Sequence, residues 1–299
     1  MEQEILHFEV PDISHAACAT SILQRHSELC CEGAFANALI WQKYYGHRVA
    51  FDGDALYMKL YFGGRHIFLL PFCDDMRAGC EKIFAYCRHN NIPLFFLAAE
   101  GERLNRFRSL YGESFLFNES RDDFEYIYTR EKLATLKGKK FHSKRNHISA
   151  FSKKHDWSFE AIDDTNADEV LAMSEIWVKA HYDGTNPSLL VEQESLKTLL
   201  RNRELLGIKG GLIRTEGKVV AFTIASPIGK HTYDVHMEKA LTEYSTAYTV
   251  INRAFAQYLN CTYLNREDDM GLEGLRKAKL SYQPDILLKK YTCVYRGDA

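Results

Sequence analysis

Only six prolines and 18 glycines occur in 299 residues, and they do not cluster. A long flexible linker is therefore excluded. No window holds the roughly 20 uninterrupted apolar residues of a membrane-spanning helix, so no membrane insertion is expected. The N-terminus, MEQEILHFEV, has acids where a signal peptide needs base and no apolar run behind them. The expected compartment is the cytoplasm. Neither charge is in excess: 38 Lys and Arg against 40 Asp and Glu leave a formal net charge of -2. That excludes a polycationic nucleic-acid coat, an acidic tail and a disordered chain, but allows a local basic patch. There is no C-x-x-C pair and no Cys/His group with zinc-ligand spacing, so no metal site is expected. The eight cysteines read as free thiols, several in the core. A Walker loop, a G-x-G-x-x-G after a strand, H-E-x-x-H and G-x-S-x-G are all missing.

What is present is an ordinary globular composition, 46% hydrophobic and 26% charged, with an element order that occurs twice. Residues 5–10 read as a strand, and 14–30 and 34–45 as helices. Three strand-like runs follow at 47–51, 54–62 and 65–71, with Asp52-Gly53 and Gly63-Gly64 as turns. A helix over 76–90, the strand PLFFL, a helix over 101–111 and strands near 115–118 and 124–128 complete this half. The second half reads as a strand at 157–162, helices at 166–182 and 190–204, and strands at 207–214, 218–227 and 230–238. A helix over 245–259, a strand over 261–265, a helix over 271–280 and a strand over 287–295 end it. Two copies of one α/β unit with mixed sheets and helices on both faces are expected, with domains at 1–135 and 136–299.

Three segments carry candidate chemistry. In HTYDVHMEK, alternation places Asp234, His236 and Glu238 on one strand face, roughly 7 Å apart, where acid, imidazole and acid suit proton abstraction from an amine. The simpler reading is a strand with one solvated face. Residues 137–154 contain Lys137, Lys139, Lys140, Lys144, Arg145, Lys153 and Lys154 and no acid. On a helix, Phe141, Ile148 and Phe151 form its apolar stripe. Lys144 and Arg145 fall near that stripe, which suits a carboxylate, phosphate or RNA backbone. A solvated basic face is the competing reading. The third segment, NREDDMGLEGLRKAKLSYQP at 265–284, follows a strand and enters a helix that Asp268 or Asp269 can cap. Open α/β sheets bind ligands at such strand ends.

LATLKGKKFHSKRNHI (133–148), VHMEKA (235–240) and NREDDMGLEGLRKAKLSYQP together resemble the bacterial family named for the C-terminal domain of phosphatidylglycerol lysyltransferase. FANALIWQKYYG (35–46) and RDDFEYIY (121–128) fit its soluble, stand-alone members. The resemblance covers nearly the whole chain. It implies two tandem GNAT-like (acyl-CoA N-acyltransferase-like) units; the C-terminal copy is read here as holding the active cleft and the N-terminal copy as degenerate. Its membrane enzymes, and the related peptidoglycan-bridge transferases, move an aminoacyl group from aminoacyl-tRNA to an amine or hydroxyl. Acyl-CoA users of this fold cradle pyrophosphate in a glycine-containing loop after the fourth strand. The matching stretch here, KALTEYSTAYT (239–249), has none.

The expectation is thus an acyl- or aminoacyl-transferase with aminoacyl-tRNA or acyl-CoA as co-substrate. Its partners would be a tRNA acceptor end and a small-molecule or peptide acceptor. Asp234, His236, Glu238 and Tyr282 are the catalytic candidates, with Glu238 first. Lys144, Arg145 and Lys239 are candidates for donor phosphate, and Arg266, Glu267 and Asp269 for the acceptor side. The alternative is a non-catalytic ligand- or partner-binding protein on the same scaffold.

Overall fold

Local sequence signals set most element boundaries. The computed structural model describes residues 5–297. Helices α1 (Ala16–His26) and α2 (Phe35–Tyr45) lead into strands β1 (Arg48–Asp52), β2 (Ala55–Phe62) and β3 (Arg65–Leu69). Gly46 ends α2 in the left-handed region at φ 58°, where a side chain is disfavoured. Helix α3 (Met76–His89) is capped by Asp75, whose carboxylate accepts the Ala78 N–H at 3.0 Å. Then come β4 (Phe95–Ala99), α4 (Glu102–Tyr111), β5 (Phe115–Glu119), β6 (Glu125–Thr129), α5 (Arg130–Thr135) and α6 (His142–Lys154). The second half holds β7 (Trp157–Ala161), α7 (Ala167–His181), α8 (Ser188–Arg201), β8 (Lys209–Thr215), β9 (Lys218–Ile228) and β10 (Thr232–Ala240). It ends with α9 (Ala247–Tyr258), β11 (Tyr263–Asn265), α10 (Glu273–Leu280), β12 (Ile286–Leu288) and β13 (Lys290–Tyr295).

The strands form a six-stranded sheet, β1-β2-β3-β4-β13-β5, and a seven-stranded sheet, β12-β6-β11-β10-β9-β8-β7. Each contains an antiparallel meander followed by one parallel strand that soon diverges, as expected of tandem GNAT-like units. In the first sheet β3 and β4 pair at Phe68↔Phe96 and Leu69↔Leu97; in the second β10 and β11 pair from Thr232↔Tyr263 to Asp234↔Asn265.

The division expected at 135/136 does not follow the sheets. Strand β6 lies before it yet sits between β11 and β12, and β13 lies after it yet sits between β4 and β5. The halves exchange their last strands. Linear order is the same whether such a strand pairs at home or across, so the sequence is silent on the exchange. The single strand expected at 287–295 is split at Lys289 for the same reason, because β12 pairs with β6 and β13 with β4 and β5. Residues 5–10 form only one bridge, Glu9 to Val49, and α5 was not foreseen.

Helices α1, α2, α7 and α8 lie between the sheets. Leu23, Phe35 and Ile40 from the first half share one core with Met173, Leu199, Phe222 and Met237 from the second. Each such burial contributes roughly 1.5–3 kcal/mol, so this shared layer fixes the two sheets against each other. A second core, built on Phe141, Ile148, Phe151, Val250 and Phe255, covers the other face of the second sheet. A third, on Phe84, Phe96 and Phe107, covers the outer face of the first. No helix among the described residues is long and apolar enough to cross a membrane.

Candidate active site

The site forms where β10 and β11 part. They pair as far as Asp234↔Asn265. Beyond that, β10 runs on along β9, while the chain after Asn265 turns to β6: Arg266 N–H donates to the Tyr126 carbonyl at 3.0 Å and Tyr126 N–H to that of Glu267 at 3.2 Å. A bulge then decides which side chains face where. Val235 pairs with Ala225 and Met237 with Ile224, leaving His236 as the extra residue. Tyr233 and Val235 pack on the α9 core, whereas Met237 joins the core between the sheets. Asp234 and His236 share the inter-sheet side. Glu238 is turned to the α9 side, so the expected row of three on one face is broken by one inserted residue.

On the α9 side the structure brings together Glu238, Arg266, Lys144 and Tyr282. An Arg266 Nη donates to Glu238 Oε1 at 2.8 Å, and Asn252 of α9 donates to Oε2 at 3.1 Å. The second Arg266 Nη is buried without a hydrogen-bond partner. The Lys144 ammonium stands 3.9 Å from the centre of the Tyr282 ring, and the Arg266 guanidinium lies 5.0 Å from it. Burial, and then Arg266, pull the Lys144 ammonium below its ordinary pKa, while Glu238 opposes them. Burial pushes the Tyr282 hydroxyl up, so it stays protonated.

On the inter-sheet side, His236 Nδ1 lies 3.4 Å from Asp234 Oδ2 and 3.3 Å from Glu267 Oε1. Its Nε2 is 2.7 Å from Ser226 Oγ. Asn37 of α2 donates to Glu267 Oε1 at 3.4 Å. Burial, and then Glu267 and Glu125, push the Asp234 carboxyl well above the usual range. Behind it, Glu125 and Glu32 hold Lys290 at 2.5 Å and 2.6 Å, among the buried thiols Cys30 and Cys31. Asn265 joins the two groups: its amide donates to Glu125, and its Oδ1 accepts the Glu267 N–H at 2.7 Å.

Three other candidates are held by structural partners. Arg145 donates to the carbonyls of Leu136 and Gly138 at 2.5 Å and 2.8 Å, closing the α5–α6 turn rather than reaching the cleft. Leu136 is in the left-handed region there and leaves its carbonyl for a side-chain donor. Lys239 pairs with Glu192 at 2.6 Å and lies 4.1 Å from the Trp177 ring centre. Asp269 is fully buried and bonded by Arg276, Tyr126 and the Gly271 N–H. Burial alone would raise its carboxyl, but the bonds from Arg276 and Tyr126 prevail and hold it at about 2. It clamps the 266–272 loop and does not cap α10, which begins after Leu272 without a side-chain cap.

That loop is strained. Glu267 and Met270 have φ 53° and 51°, each costing roughly 1–3 kcal/mol. Buried Lys279 offsets this by donating to the carbonyls of Arg266 (2.5 Å) and Asp268. Sequence reasoning missed Asn252, Ser226, Asn265 and Asn37. Asn37 and Ser226 are polar residues set in apolar runs and Asn252 and Asn265 adjoin charged ones, but none has a motif of its own and only the fold gives it a partner.

A model of the phosphatidylglycerol lysyltransferase C-terminal family matches residues 23–294. The chain belongs to that family. Among solved structures, a conserved protein of unknown function from Bacteroides thetaiotaomicron is 33% identical, with a TM-score of 0.89 over 98% of this chain and 100% of that one. L-PGS from Bacillus licheniformis has the same fold at 15% identity, with a TM-score of 0.67 over 97% of this chain and 94% of that one. An uncharacterised protein of Mycoplasmoides gallisepticum is 23% identical over 184 residues, 59% of this chain and 57% of that protein's length. Lys144 (133–148), Glu238 (235–240) and Arg266, Glu267 and Tyr282 (265–284) all lie in the segments that carry the sequence resemblance.

Proposed function

We propose that this protein is an aminoacyltransferase that moves an aminoacyl group from aminoacyl-tRNA to a soluble amine or hydroxyl, with the α9 side of the splay as its reaction site. The observation that carries the reading is the buried Arg266 nitrogen without a partner, next to the Glu238 carboxylate and the Lys144 ammonium. A buried donor left unsatisfied is costly, and the oxygen of an ester carbonyl or phosphate would satisfy it.

In the amine case, the acceptor nitrogen attacks the ester carbonyl carbon. A C–N bond forms and the C–O bond to the tRNA ribose breaks. Glu238 takes the proton lost by the amine, and Asn252 and Arg266 hold its carboxylate in place. Arg266 stabilises the oxyanion. Lys144, whose proton is loosened by burial, protonates the departing ribose oxygen. Tyr282 supports both cations with its ring face.

The test is transfer of labelled amino acid from charged tRNA to a panel of amines and hydroxyl acceptors. Glu238→Gln keeps the shape and removes the base, so turnover should fall about 10²–10⁴-fold with tRNA binding unchanged. Transfer that survives in Glu238→Gln and Arg266→Met would overturn the assignment.

A further inference from the structure

The inter-sheet wall of the splay carries three ligand atoms that the reaction above does not use. Asp234 is fully buried, and neither of its carboxylate oxygens has a hydrogen-bond partner. Among the described residues, no Lys or Arg forms an ion pair with Asp234 or Glu267; both carboxylates face His236 Nδ1. A buried carboxylate and a half-buried one beside a neutral imidazole are costly when both are ionised, and a bound cation removes that cost.

The distances point to what kind of cation. One ligand atom from each of Asp234, His236 and Glu267 lies within 4.8 Å of the other two. The two nitrogen–oxygen separations are 3.4 Å and 3.3 Å. Charge-assisted N–H···O bonds are usually about 2.7–2.9 Å. Ligands around a tetrahedral zinc ion, at bonds of about 2.0–2.1 Å, stand roughly 3.3–3.4 Å apart. Ser226 supplies the outer partner: its Oγ lies 2.7 Å from Nε2. If Nε2 carries the ring proton and donates it there, the Nδ1 lone pair faces the two carboxylates, as in sites where a ligating histidine is oriented by its other nitrogen. Glu267 reaches this position only through a left-handed backbone, φ 53°, which is strain at the residue that completes the set.

We propose that Asp234, His236 and Glu267 bind one divalent transition-metal ion of the zinc class, with a fourth position left to water or substrate. Mixed imidazole and carboxylate ligands favour such ions over magnesium or calcium. The sequence does not reveal the site, because Glu267 joins the other two only where β11 ends. The inference stands apart from the transferase reading, since it is tested without donor or acceptor.

The experiment uses the full chain, stripped with chelator and titrated with zinc chloride by calorimetry, with metal counted by native mass spectrometry. One zinc per chain is expected, with a higher melting temperature in its presence. His236→Ala and Glu267→Gln should each weaken binding by about 100-fold or more. Circular dichroism checks that each variant folds, and Asp234→Asn serves as a third if one does not. Replacing both Cys30 and Cys31 by serine should leave zinc binding unchanged. No saturable zinc binding by the stripped chain, binding that survives the His236 and Glu267 changes, or loss of binding in the cysteine variant would each overturn the proposal.

Discussion

Lys290 of β13 and Glu125 of β6 form a buried ion pair, 2.5 Å long, between the two strands that the halves exchange. Glu32 also reaches Lys290, at 2.6 Å. Burial works against the Lys290 charge, and Cys30, Cys31, Glu125 and Glu32 outweigh it and raise its pKa well above the usual lysine value. The pair joins the two exchanged strands, each of which lies inside the other half's sheet, so it links the two sheets through a buried contact. Lys290→Met leaves Glu125 buried and unpaired and should cost about 3–5 kcal/mol by chemical denaturation. The double variant with Glu125→Gln should recover part of that loss. A single-variant cost below about 1 kcal/mol would mean the pair does not hold the exchange.

A second prediction concerns acid. His47 is buried, its Nδ1 has no partner, and burial lowers its pKa to about 4, against a weaker opposite pull from Glu32. A histidine in the unfolded chain titrates near its ordinary value of 6.5. Between those values the unfolded chain takes up a proton that the folded chain refuses. Stability due to this residue is therefore full above about pH 6.5 and falls as pH drops toward 4, by about 3 kcal/mol in all. His47→Gln should flatten that part of the pH–stability curve. An unaltered slope in the variant would refute it.

Arg145 gives a third prediction, one that separates structure from binding. Its guanidinium bonds the carbonyls that end α5. Arg145→Ala should destabilise the fold by about 1.5–3 kcal/mol, and tRNA affinity measured well below the melting temperature should not change. A stable variant with weakened tRNA binding would restore the donor role that its sequence position suggests.

The sequence states the elements well because helix caps, hairpin turns and hydrophobic period are local. Asp75 caps α3, Gly46 ends α2, and the Asp52-Gly53 and Gly63-Gly64 turns of the first meander fall where they are expected. It is less explicit about pairing. The period of two that put Asp234, His236 and Glu238 on one face holds only for a regular strand, and one bulged residue sends Glu238 to the opposite side. The basic run shows the same limit. Lys144 and Arg145 are neighbours near one apolar stripe, yet one meets Tyr282 and the other two backbone carbonyls. Glu238, Arg266, Lys144 and Tyr282 were each legible as candidates. Their convergence was not, because it depends on where β11 ends.

The last prediction concerns the donor. A loop that binds the pyrophosphate of acyl-CoA brings several backbone N–H groups close to the phosphates, and glycine permits that approach. Here β10 ends at Ala240 and α9 begins at Ala247, and the intervening turn is filled by side chains. Leu241 is buried in the inter-sheet core, and Tyr244 packs against that core and the α9 core. Its ring also lies 5.1 Å from that of His155. Lys239, at the start of the stretch, is paired with Glu192 and lies over Trp177, so its charge is already engaged. A phosphate approaching the amides of this turn meets a half-buried aromatic ring already packed on two cores. Calorimetry should therefore show no micromolar binding of coenzyme A or acetyl-CoA, while a charged tRNA acceptor-stem mimic binds measurably. Arg266→Met should weaken the mimic's binding and leave the coenzyme result unchanged. Micromolar coenzyme A affinity, with perturbed signals centred on Tyr244 and the first turn of α9, would show that the turn opens and would reverse the choice of donor.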